Sequence, residues 1–238
     1  MKLNCFLATI LGTWLASTSM TTLAGTIAEE NITAGEWALL PPYCPHTMAF
    51  KGYQANKGKW EVVMGKGFAH MHHYCWALVR FHRAEKATVP TTQKQYLRKD
   101  ALDDFGYVVR NTDDDFILLP EILTWVGRTL ILLGRPVDAD KSFAKARTIK
   151  PDYWPAYTYW ADFLLRNGHK ADALELVKVG LQHAPRAKVL HELFRSSGGK
   201  PGDIPPPIAE NVPPSVTEKP NPGRPEDPPV TETEAKSQ

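Results

Sequence analysis

Cysteine is scarce in this chain: three in 238 residues, with Cys5 among the first few positions. So few thiols exclude a small disulfide-dense scaffold. No CxxC pair and no CxxCH haem motif is present. An excess of either charge is also missing, since 28 basic and 26 acidic residues give a net charge of +2. Without a basic stripe, nucleic acid is not an expected partner. Apolar runs are short, and the longest, CFLATILGTWLA at 5–16, falls below the roughly 20 residues of a membrane span. The GxSxG elbow, the HExxH helix and the phosphate-cradling glycine loop are all absent. Asp113, Asp114 and Asp115 lack the alternation and glycine of a calcium loop. The expectation is a protein that is not an enzyme and needs no cofactor.

Proline, by contrast, is plentiful and concentrated. Eleven of the twenty prolines fall in residues 199–238, in PPP, PP, PNPGRP and EDPP clusters with few large apolar side chains. Such a stretch cannot bury enough surface to fold, and reads as a disordered tail sampling extended polyproline conformations. At the other end, Lys2 precedes the apolar run, and small and hydroxyl residues lead to Thr22-Leu23-Ala24. Residues 1–24 therefore read as a secretory signal peptide of bacterial type, cleaved after Ala24, with retention as an anchor the alternative. The mature chain is expected in the periplasm or outside the cell, without a membrane span. From Lys200 onward the tail carries four basic and seven acidic residues; removing it and Lys2 from a chain of +2 leaves the folded part near +4.

Between these ends lies a repeated spacing. Counting Pro120 as position 1 puts Gly127 at 8, Gly134 at 15, Ala139 at 20, Phe143 at 24, Ala146 at 27 and Pro151 at 32. Restarting at Trp154 puts Tyr157 at 4, Trp160 at 7, Ala161 at 8, Gly168 at 15, Ala173 at 20 and Pro185 at 32. Apolar residues recur at helical spacing in LPEILTWVGRTLILLG and ADALELVKVGLQHA. Each unit reads as two antiparallel helices, with a glycine ending the first, alanines at the close crossings and a proline closing the second.

A period of about 34 residues with small residues at these places resembles the tetratricopeptide repeat. The resemblance implies an all-α solenoid of helical hairpins whose concave face binds a protein or peptide. It covers two clean units, 116–153 and 154–187. A divergent unit, 67–115, is expected before them, with a first helix over 67–84 and Ala101, Leu102, Phe105 and Val108 on its second; ATVPTTQ is too long for the family's turn. A capping helix is expected at 188–198, stopped by Gly198 and Gly199, and an irregular extension at 25–66. In the family, ligand contacts come mainly from positions 2, 5, 9 and 12. These fall on Glu121, Thr124, Arg128 and Ile131, then on Pro155, Thr158, Asp162 and Leu165. Arg128 and Asp162 stand out as charges able to pair with a peptide terminus or side chain; Trp154 and Tyr159 are freer than Tyr157 and Trp160 to contact a partner.

Two further features precede the repeats. Once the leader is removed, Cys44 and Cys75 form an even pair, which in an oxidising compartment reads as a disulfide in preference to free thiols or metal chemistry. It would close a loop of about thirty residues, stabilising the fold by roughly 3 kcal/mol in the chain-entropy picture. The histidine cluster AHMHHYC offers His70 and His73 three apart on a helix surface, and a metal site there would need ligands from elsewhere, such as His46 or a glutamate. Ordinary packing histidines are the favoured reading. The combined expectation is an exported protein-binding scaffold of the cell envelope; the alternative is a metal- or redox-linked site built on His70, His73, Cys44 and Cys75.

Overall fold

The computed structural model describes residues 29–208; the predicted signal peptide and most of the predicted tail lie outside them. Among the described residues every regular element is helical. The α-helices are α1 (Ala34–Trp37), α2 (Tyr53–Met64), α3 (Met71–Glu85), α4 (Thr91–Asn111), α5 (Leu119–Leu132), α6 (Pro136–Ile149), α7 (Pro155–Arg166), α8 (Lys170–His183) and α9 (Lys188–Ser196). None of these is long and apolar enough to cross a membrane.

Helices α3 and α4, α5 and α6, and α7 and α8 pack as successive hairpins, α4 leans on α5 and α6 on α7, and α9 closes the series against α7 and α8. The turns of the last two hairpins are built alike. Gly134 and Gly168 adopt φ of 74° and 83°, a left-handed conformation that costs a side-chain-bearing residue about 1–2 kcal/mol. That geometry sends the Arg135 N–H to the Leu130 carbonyl and the His169 N–H to the Leu164 carbonyl, each at 2.9 Å. The last carbonyls of α5 and α7 are thereby satisfied while the chain reverses. Prolines in the first turns of α5, α6 and α7 start those helices where no N–H is needed.

Small residues sit where the helices cross. Ala101, Ala139, Ala146, Ala161 and Ala173 are fully buried, as are Phe105, Phe143 and Phe194 between them. Each buried phenylalanine stabilises by about 1.5–3 kcal/mol relative to exposure.

Four sequence expectations are corrected. Residues 25–66 are not wholly irregular, since α2 occupies 53–64; it carries Gly58 and leaves Val62 and Val63 exposed, so no apolar stripe announces it. The helix expected over 67–84 is split, with 3-10 geometry at Gly65–His70 before α3. The link from α3 to α4 is only 86–90, because Thr91-Thr92-Gln93 already form the first turn of α4. Finally, the tail does not leave the fold at 199: Ile204 packs on the α7–α9 cluster, and the Ile208 N–H donates to the Gln182 carbonyl at 3.0 Å.

The N-terminal segment runs along α3 and is fastened to it twice. Cys44 and Cys75 are joined in a disulfide with Cα atoms 5.7 Å apart. Nearer the chain start, Thr33 caps α1 in a reciprocal capping box with Glu36. The buried Glu36 carboxylate also takes Arg83 at 2.8 Å and Lys86 at 3.0 Å. The Arg83 hydrogen bond foremost holds this carboxyl well below the usual carboxylate range, against the opposing push of burial.

Candidate binding groove

Helices α5, α7 and α9, with the 153–155 turn, enclose an open groove of about 550 Å³. Its walls are aromatic and aliphatic: Trp125, Tyr153, Trp154, Pro155, Tyr159, Val189 and Leu193. All seven residues singled out from the repeat positions (Glu121, Thr124, Arg128, Trp154, Thr158, Tyr159 and Asp162) lie on it.

Their chemical availability differs. Thr124 and Thr158 are buried, and their hydroxyls donate to the Pro120 and Pro155 carbonyls at 2.9 and 3.0 Å. They therefore present little more than a methyl-sized apolar floor. Glu121 accepts a hydrogen bond from the Tyr74 hydroxyl, and Tyr74 is fully buried. Burial first, with the neighbouring Tyr43 and Glu121 charges behind it, keeps that phenol protonated and so a donor. Asp162 pairs with Arg166 one turn later at 3.0 Å, an exposed pair of modest strength. Trp154 and Tyr159 keep about two-fifths of their surface open, at 40% and 39%.

Arg128 is different. Its guanidinium carbon lies 4.0 Å from the Trp125 ring centroid, 4.2 Å from Tyr159 and 5.1 Å from Phe81. No acceptor or carboxylate among the described residues bonds to it. Burial, ahead of any charge, pulls its pKa below the ordinary guanidinium value, though not far enough to neutralise an arginine. Cation–π attraction to these rings holds the guanidinium in place, while its N–H donors have no bonded acceptor among the described residues. Beyond it the groove continues past Ile131 and Phe163.

No protein-family model matches this chain, and no curated protein or solved structure is similar to it at a significant level. The site therefore rests on its own geometry.

Repeat positions alone did not point to Trp125, Tyr153, Val189 or Leu193. Trp125 is adjacent to Thr124 on α5, where its size was the available signal. Val189 and Leu193, four apart on α9, show one helical face, read from the sequence only as a cap. Leu165, expected on the concave face, packs instead on the α7–α9 core.

The histidine cluster lies elsewhere, between α3 and α4. His73 places Nδ1 2.7 Å from Asp104 and its ring 3.9 Å from that of Tyr107, while His70 meets Tyr107 edge-on. His72 turns Nδ1 to the Ala69 carbonyl at 3.0 Å; burial first, then His73, lowers its pKa to about 4. His46 is engaged by Gly52 and Asn56. Among the described residues no three His, Cys, Asp or Glu side chains converge to hold a metal. With Cys44 and Cys75 bonded to each other, neither offers a thiolate.

Proposed function

We propose that this chain is an exported, non-catalytic binding protein of tetratricopeptide-repeat type, which captures a carboxylate-bearing peptide segment of a partner in the bacterial cell envelope. The observation that carries this reading is Arg128, a cation held between Trp125 and Tyr159 with no counter-ion bonded to it among the described residues and facing an apolar groove. A carboxylate entering there gains charge-assisted hydrogen bonds of about 1.5–3 kcal/mol. Apolar neighbours of that carboxylate would rest on Trp154, Val189 and Leu193. The repeat reading is supported by paired glycine turns, buried alanines at the crossings and a closing helix. The Cys44–Cys75 bond suits an oxidising compartment, as export would provide. The metal- or redox-linked alternative has less support, since both thiols are consumed in that bond.

Panning a random peptide library against the immobilised protein tests the reading, with Arg128→Ala as the counter-target. Enrichment of sequences combining an acidic or C-terminal carboxylate with apolar residues, lost on Arg128→Ala, supports it. Enrichment indifferent to Arg128, or none at all, refutes it.

A further inference from the structure

The groove and the C-terminal stretch of the same chain are chemically matched. We propose that Pro225–Val230 (PEDPPV) folds back onto the groove and competes there with the external partner. This inference rests on the groove being a peptide site, and adds how access to it is regulated.

Three observations converge. First, the described chain ends close by. Ile204 packs on the α7–α9 cluster, Ile208 is held at the last turn of α8 through Gln182, and α9, packed on α8, supplies Val189 and Leu193 to the groove. The chain thus departs one helix away from the wall it would have to reach. Second, the reach is ample. Glu226 lies 18 residues beyond Ile208, and at about 3.1 Å per residue in a polyproline conformation that is roughly 55 Å. One helix-to-helix step is only about 8–10 Å.

Third, the groove and the segment complement each other in shape and charge. Proline-rich strands dock on aromatic-lined grooves, because the rings stack flatly and little conformational entropy remains to be lost. The groove offers Trp154, Tyr159 and Trp125 for that purpose. Arg128, with no carboxylate bonded to it among the described residues, calls for one, and residues 209–238 hold six acidic against three basic residues. Within them Glu226-Asp227 is the one adjacent acidic pair, and prolines flank it on both sides. Glu218, by contrast, is followed directly by Lys219. Tethering raises the effective concentration of the segment to about the millimolar range, so a weak contact suffices to keep the groove occupied.

The test uses the full mature chain with its disulfide intact. A nitroxide on Thr231→Cys should broaden the NMR signals of Trp125, Trp154 and Tyr159 selectively, and Glu226→Gln with Asp227→Asn should remove that broadening. Groove signals left untouched, or broadening insensitive to the acidic pair, overturns the proposal. A second arm measures the affinity of a peptide selected on the wild-type protein. It should bind about tenfold more tightly to the Glu226→Gln/Asp227→Asn chain, and equal affinity overturns competition. Should no peptide bind either form, the partner-binding reading fails on its own account, while the nitroxide still reports whether the segment reaches the groove.

Discussion

Arg128 rests 4.0 Å above the indole of Trp125, and no acceptor among the described residues uses its hydrogen-bonding edge. Replacing Arg128 with alanine removes a cation–π contact of about 0.5–2 kcal/mol but also relieves a desolvated charge. The folding midpoint of Arg128→Ala should therefore stay within a few degrees of wild type. Affinity for an acidic peptide should fall about 10- to 100-fold, the equivalent of one charge-assisted hydrogen bond. Calorimetry of binding and of unfolding on the same preparation separates the two; a collapsed fold would make Arg128 a structural residue.

The Cys44–Cys75 bond closes a separation of 31 residues. Removing it through Cys44→Ala and Cys75→Ala together should cost about 3–4 kcal/mol by release of the unfolded chain. Urea unfolding should show the loss. A double variant as stable as the parent would mean that the Glu36 ion pairs with Arg83 and Lys86 suffice to hold the segment on α3.

Gly134→Ala forces a side chain into a left-handed backbone, and should cost about 1–2 kcal/mol. Open space surrounds the added methyl, so the loss comes from the backbone alone. Gly127→Ala tests the opposite case: its φ is ordinary, but the methyl would lie 2.7 Å from the Phe143 ring. That clash should cost about 1–3 kcal/mol through repacking. A neutral outcome in either variant, read by thermal denaturation, would contradict the corresponding account.

Acid should weaken the fold in two stages. The folded His72 pKa is lowered to about 4 from an ordinary 6.5, so between these values the unfolded chain binds the proton more readily. Stability therefore falls as the pH drops from about 6.5 towards 4, and His82, lowered mainly by burial, acts in the same direction. Glu36 is depressed from its ordinary 4.5, so its contribution is complete above that value and is lost at more acidic pH. Comparing urea midpoints at pH 7 and pH 5 should show a smaller drop for His72→Gln than for wild type. An equal drop would remove His72 from the account.

The hairpins between 119 and 183 were legible because their determinants are local. A glycine in the left-handed region and an alanine at a crossing leave their mark at fixed spacing whatever lies around them. The same register brought seven residues from α5, α7 and the 154 turn to one groove, since position within a hairpin decides which face a side chain occupies. Helix α2 was not legible: YQANKGKWEVVM carries a glycine and no continuous apolar stripe. What positions it is tertiary, with Trp60 packed edge-on to Tyr43 and over His46. The outer wall of the groove escaped for the same reason, because Val189 and Leu193 arrive from α9, whose placement depends on Leu190 and Phe194 filling the last core.

The span of the groove sets how long a chain it could hold. Its floor crosses three helices, α5, α7 and α9, whose axes stand about 8–10 Å apart. An extended chain laid across them advances about 3.3 Å per residue, so about six residues fill the width from end to end. On the proposed peptide-binding reading, recognition at that scale would rest on a short word in a partner's sequence, and the partner's overall fold would be of no consequence to it.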